Sequence, residues 1–105
     1  MPAPALSSHA RTHLKALAHP LSPLVLIGAE GLSAGVTQAV SVALEDHELI
    51  KVRLTQGYDG DRHEAAEALA PEVGAAVVQV IGRTIVLYRR RCRDLPKRPR
   101  IELPA

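Results

Sequence analysis

The chain has 105 residues, 47% of them hydrophobic, which allows one small core. It has no Phe or Trp, two Tyr, a single cysteine and a net charge of +2. These figures argue against an aromatic base-stacking platform and an internal disulfide framework, and apolar runs such as Leu24–Ile27 are far too short to cross a bilayer.

Pro2 and Pro4 open a short Ala/Pro tail that lacks the basic start and long apolar stretch of a signal peptide. With Cys92 alone, a reducing, cytoplasmic setting is expected, with no membrane contact. The charge is unevenly placed: −3 over Met1–Tyr88 and +5 over Arg89–Ala105. A basic end suits a polyanionic partner, or a solvated tail that keeps the chain soluble.

Ser7 or Ser8 can cap a first helix running to about Leu17. Leu6, Ala10, Leu14, Leu17 and Leu21 recur at helical spacing and are expected to face the core. Arg11 and Lys15, four residues apart, lie on the opposite face. Pro20 ends the helix, and Leu24–Ile27 reads as a short buried strand. Next comes Gly28-Ala29-Glu30-Gly31, then Ser33 as the cap of a second helix from about Ala34 to Asp46. Val36, Ala39, Val40, Ala43 and Leu44 form its core stripe. Glu45-Asp46-His47-Glu48 reads as a solvated acidic cluster.

From Leu49 to Gln56, Ile50, Val52 and Leu54 alternate with Lys51, Arg53 and Thr55. That period of two places the branched residues on the core face and both cations on the other. After a turn at residues 56–60, Asp61 and Glu64 suggest a capping box for a third helix with Ala66, Leu69 and Val73 buried. Pro71 is expected to kink or shorten it, and Gly74 to close it. Val77–Ile81 and Ile85–Arg89 read as a hairpin around Gly82-Arg83. Prolines 96, 99 and 104 argue against regular structure beyond Arg91. The order α-β-α-β-α-β-β implies an α/β two-layer sandwich with a mixed four-stranded sheet, its helices mostly on one sheet face.

The loop Gly28-Ala29-Glu30-Gly31 joins a strand to a helix N-terminus. Glycines permit a close backbone approach, and a helix N-terminus offers unpaired N–H groups with partial positive charge. That combination can cradle a phosphate. Two glycines in four residues can equally just turn the chain.

Several ordered blocks resemble the CRM-domain family, in its free-standing bacterial YhbY-like branch. They are the stretch from Leu14 to Leu21, Pro23, the stretch from Ile27 to Leu32, the stretch from His47 to Val52, Gly74-Ala75, and the stretch from Gln79 to Arg89. The resemblance covers about Leu6 to Arg89. It implies a fold similar to the C-terminal domain of translation initiation factor three, RNA binding, and association with precursors of the large ribosomal subunit. The chain departs from the family pattern at Pro71, at the acidic Glu30, and in its heavier Arg-rich end. The expected organisation is a CRM-like domain over residues 6–91 and a basic, Pro-containing tail over 92–105.

The expected RNA-binding set is Gly28, Ala29, Glu30 and Gly31 at the loop, with cations from Arg11, Lys15, Lys51, Arg53, Arg89, Arg90 and Arg91, and Arg93 beyond them. Glycine-bounded loops of this length clamp the nucleic-acid backbone in KH domains, and phosphate contacts position RNA without reading sequence. Lys51 and Arg53 also fit a solvated strand face, and Glu30 either repels phosphate or points to solvent. His9, His13 and His19 lack the further ligand that a zinc site needs. No serine sits in a nucleophile elbow, and no cofactor is expected. The leading expectation is a monomeric, non-catalytic protein binding ribosomal RNA of the large-subunit precursor. The alternative is a protein-interaction adaptor using the basic tail.

Overall fold

The structure, a computed structural model, describes residues 5–91 and 100–104. The N-terminal Ala/Pro tail, Cys92, Arg93 and prolines 96 and 99 lie outside the described residues. The elements are α1 (Ser8–Ala18), β1 (Val25–Ile27), α2 (Ala34–His47), β2 (Leu49–Leu54), α3 (Arg62–Val73), β3 (Ala76–Ile81) and β4 (Thr84–Tyr88).

Each helix starts where a polar side chain satisfies its first amides. The Ser7 Oγ accepts from Ala10 N–H at 3.0 Å, Ser33 Oγ from Val36 N–H at 3.2 Å, and Asp61 Oδ2 from His63 and Glu64 N–H, both at 3.0 Å. α3 ends in a left-handed Gly74 with φ 65. Ala75 N–H donates to Ala70 C=O at 2.9 Å and Gly74 N–H to Pro71 C=O at 3.3 Å, the paired bonds of a Schellman motif. Pro71 does not shorten the helix, which continues to Val73.

The sheet order is β1-β2-β4-β3. β1 runs parallel to β2, while β4 is antiparallel to both β2 and β3. The sheet is therefore mixed, within the α/β fold expected from the element order. β3 and β4 join through Gly82-Arg83, with Gly82 at φ 57 supplying the positive angle that a two-residue hairpin needs.

The period of two in β2 divides the core. Ile50, Val52 and Leu54 join Ile27, Val40, Leu44, Leu69, Ile85 and Leu87 under α2 and α3. Leu49 points to the other face and joins Leu14, Ala18, Val78, Val86 and Tyr88 under α1. Complete burial of each such aliphatic side chain contributes roughly 1.5–3 kcal/mol. Ile101 and Leu103 pack against the α1 cluster, as does Leu6.

Three core expectations are corrected. Leu17 and Leu21 are each 40% exposed, because α1 meets the sheet along Ala10, Leu14 and Ala18. Ala39 is exposed, since α2 buries Val40 and Leu44. β1 is only half buried: Val25 and Ile27 face the core while Leu24 and Leu26 are exposed, as an edge strand covered on one face requires.

Candidate functional site

The Gly28–Gly31 loop leaves the C-terminal end of β1 as a tight turn. Gly31 N–H donates to Gly28 C=O at 3.0 Å, and Ser33 N–H donates to Gly31 C=O at 3.0 Å. The Gly31 amide is thus turned inward. Gly31 sits at φ 67, where a side chain would strain the backbone, whereas Gly28 has no positive φ and a Cβ there would make ordinary contact with Thr55 Oγ1 at 3.5 Å. Ala29 and Glu30 project at the exposed tip. The Ala34 and Gly35 amides precede the first intrahelical bond of α2.

The loop rests on the segment after β2. Thr55 donates to Ile27 C=O through its backbone N–H at 2.9 Å and through Oγ1 at 3.2 Å. Gly57 leaves so little space that a Cβ there would lie 3.3 Å from Ala29 N. Arg83 fixes this segment from the hairpin. Its Nε donates to Leu54 C=O at 2.9 Å, and its Nη2 to Thr55 C=O at 2.5 Å and Tyr58 C=O at 3.3 Å. Sequence reasoning placed Gly82-Arg83 only in the hairpin; the bracing role depends on the β2–β4 pairing, which no local pattern reveals.

The expected cations divide into two groups. Lys51 and Arg53 lie on the α1 face of the sheet, beside exposed Leu26, the register partner of Arg53. Lys51 Nζ donates to His19 C=O at 3.0 Å, holding it at the C-terminal end of α1, one turn beyond the exposed Lys15. Arg53 is thereby level with Leu26 near the end of β1, while Lys51 is level with Leu24 before its start, with Lys15 further back on α1. Arg11 is partly engaged elsewhere: its Nη1 donates to Val77 C=O and, at 3.2 Å, to Val78 C=O, tying α1 to β3. Arg90 is exposed.

Arg89 and Arg91, expected in an exposed footprint, are buried. Arg89 Nη1 donates to Ser41 Oγ at 3.1 Å and Val73 C=O at 2.9 Å, its Nη2 to Ser41 C=O at 2.8 Å, and it pairs with Glu45 at 3.5 Å. Arg91 donates from Nε to Glu45 C=O at 2.7 Å and from Nη2 to Asp46 C=O at 2.6 Å, satisfying carbonyls at the end of α2. The solvated acidic cluster is likewise corrected. Glu48 is fully buried at φ 64, and its carboxylate accepts from Arg91 N–H at 2.6 Å and Ile101 N–H at 2.7 Å. Nearby, burial raises the Tyr88 phenol above its ordinary value, and the Glu48 charge adds to the rise against the opposing pull of Arg90.

Among the described residues, no three His, Cys, Asp or Glu side chains gather as a metal site, and no helix is long and apolar enough to cross a membrane.

The profile of the CRS1 / YhbY (CRM) domain matches residues 6–89. The chain is 42% identical over 84 residues to an "RNA-binding protein" of Haemophilus influenzae, covering 80% of this chain and 85% of that one. It is 35% identical over 99 residues to "Probable RNA-binding protein YqeI" of Bacillus subtilis, covering 94% and 99%. The solution structure of the hypothetical protein SAV1595 from Staphylococcus aureus superposes with a TM-score of 0.77 at 35% identity, covering 95% of this chain and all of that one.

Proposed function

The chain belongs to the CRS1/YhbY (CRM) domain family, and from that premise we propose that it is a non-catalytic RNA-binding protein acting on ribosomal RNA of the large-subunit precursor. The observation that carries the reading is the meeting of a braced glycine loop with a cationic sheet face. Thr55, Gly57 and Arg83 hold the Gly28–Gly31 turn; Arg53 lies on the adjoining strand beside Leu26, with Lys51 and then Lys15 further back toward the start of β1. The loop backbone and the start of α2 receive a phosphate, while the three cations follow the strand onward. Arg11 and Arg90 lie at the margins. Arg89 and Arg91 serve the fold and drop out of the footprint. The reading places the protein in the cytoplasm as a monomer, with residues 6–91 as its RNA-binding domain.

Filter binding to large-subunit ribosomal RNA fragments tests this. Affinity falls steeply with salt, log K dropping by about 0.7–0.9 per phosphate neutralised for each tenfold rise in salt. The double variant Gly28→Asp, Gly31→Asp stays folded and loses binding. No RNA binding, or binding without salt dependence, refutes the reading. The ribosomal assignment is checked on a sucrose gradient of lysate: migration with large-subunit particles disappears after ribonuclease treatment.

A further inference from the structure

Beside the glycine loop, at the same end of the sheet, lies an open depression of about 450 Å³ lined by Leu26, Arg53, Leu54, Thr55, Gln56 and Arg83. This volume falls within the range of small-molecule sites, about 300–1,000 Å³. Thr55 belongs both to this depression and to the brace under the loop. Phosphate contacts alone do not explain its lining, because Leu26 is 60% exposed at its edge.

The Arg83 guanidinium is the second distinctive feature. Its Nε and Nη2 donate to three backbone carbonyls, which fixes the plane of the group while the residue as a whole remains exposed. Donors lie in the guanidinium plane, so engaging them leaves its face available. Unpaired bases in RNA stack on aromatic rings or on Arg guanidinium planes. Of the two tyrosines, Tyr88 is buried and Tyr58 packs against the core, and there is no Phe or Trp. A flat stacking surface at this place therefore has to come from arginine.

We propose that the depression receives one unpaired nucleotide of the bound RNA. The base lies against the Arg83 guanidinium and Leu26, Gln56 meets its polar edge, and Arg53 meets the flanking phosphate. The inference rests on the RNA-binding reading and deepens it: the preferred ligand is RNA with a bulged or single-stranded nucleotide, not continuous duplex.

The test compares a blunt RNA duplex with the same duplex carrying a one-nucleotide bulge, the bulge being a fluorescent purine analogue. The full chain is expected to bind the bulged duplex about tenfold more tightly, with a change in analogue fluorescence, in line with the effect of losing one base-stacking contact. Leu26→Ser, on an exposed edge-strand position, is expected to remove most of that preference and leave blunt-duplex affinity unchanged. Equal, salt-dependent affinity for both RNAs overturns the inference while leaving RNA binding intact. Failure to bind either RNA overturns the reading beneath it. Unchanged RNA preference in Leu26→Ser, with loss of a co-purifying protein, overturns the inference in favour of a protein contact.

Discussion

Removing the Glu48 carboxylate gives the most direct check on how the chain is held together. Glu48 is fully buried, and its two oxygens accept one backbone N–H each, at 2.6 Å from Arg91 and 2.7 Å from Ile101. Hydrogen bonds to a charged group contribute about 1.5–3 kcal/mol each, and an orphaned buried amide costs about 1–3 kcal/mol. The desolvation cost of the carboxylate itself offsets part of that sum. Glu48→Ala should therefore destabilise the protein by about 3 kcal/mol, a large part of a typical total of about 5–15 kcal/mol. Glu48→Gln keeps one acceptor oxygen and should lose about half as much. Backbone conformation adds a sharper signature. At φ 64 and ψ −37, outside the left-handed helical well, any residue with a Cβ is strained by about 1–3 kcal/mol and glycine by less. Glu48→Gly should thus be more stable than Glu48→Ala by about 1 kcal/mol, the reverse of their usual order. Urea unfolding followed by far-ultraviolet circular dichroism measures all three. An alanine variant within about 0.5 kcal/mol of the parent, the scatter of ordinary surface substitutions, or a glycine variant less stable than alanine, would refute the reasoning.

Other outcomes follow from the same geometry. Arg89→Met should cost about 1–3 kcal/mol by leaving the Ser41 and Val73 carbonyls without their guanidinium donor; RNA affinity per folded molecule, measured below its melting range, should not change. Arg53→Ala should weaken RNA binding and reduce the salt slope by about 0.7–0.9, read from titrations at several salt concentrations. Gly31→Ala should destabilise by about 1 kcal/mol because of its φ of 67, with Gly28→Ala nearly neutral, again by urea unfolding. The raised Tyr88 pKa means that the fold favours the neutral phenol. Its contribution to stability is complete below pH 10.0 and is lost as pH rises above it, so Tyr88→Phe should flatten the alkaline decline in melting temperature.

The readable parts of the sequence were those in which local pattern and tertiary need agree. The alternation in β2 placed Ile50, Val52 and Leu54 in the core and Lys51 and Arg53 opposite, because a strand has only two faces. Ser33, Asp61 and Gly74 marked helix ends because their side chain or φ acts within a few residues. Leu17 misled because a helix has many faces. One residue of rotation separates it from the buried Ala18, and only the docking direction of α1 chooses between them. Glu48 looked solvated because its partners lie 43 and 53 residues further along the chain. Arg89 and Arg91 looked like an RNA footprint for the same reason: the carbonyls they satisfy belong to α2 and to the end of α3, which adjoin them only in the folded chain. At the candidate site, the loop was legible from its glycines, while the Arg83 brace was not.

The packing of Leu6 and Leu103 into one cluster beneath α1 has a consequence for engineering. Both flanks of the folded unit pack against the cluster that holds Leu49 at the start of β2, while the glycine loop and the Arg83 turn lie beyond the far ends of the strands. A unit with adjacent ends can be spliced into a surface loop of a host protein without being pulled apart. Grafted that way, it would hang from its host like a plug on a cord, with the glycine-loop end pointing outward.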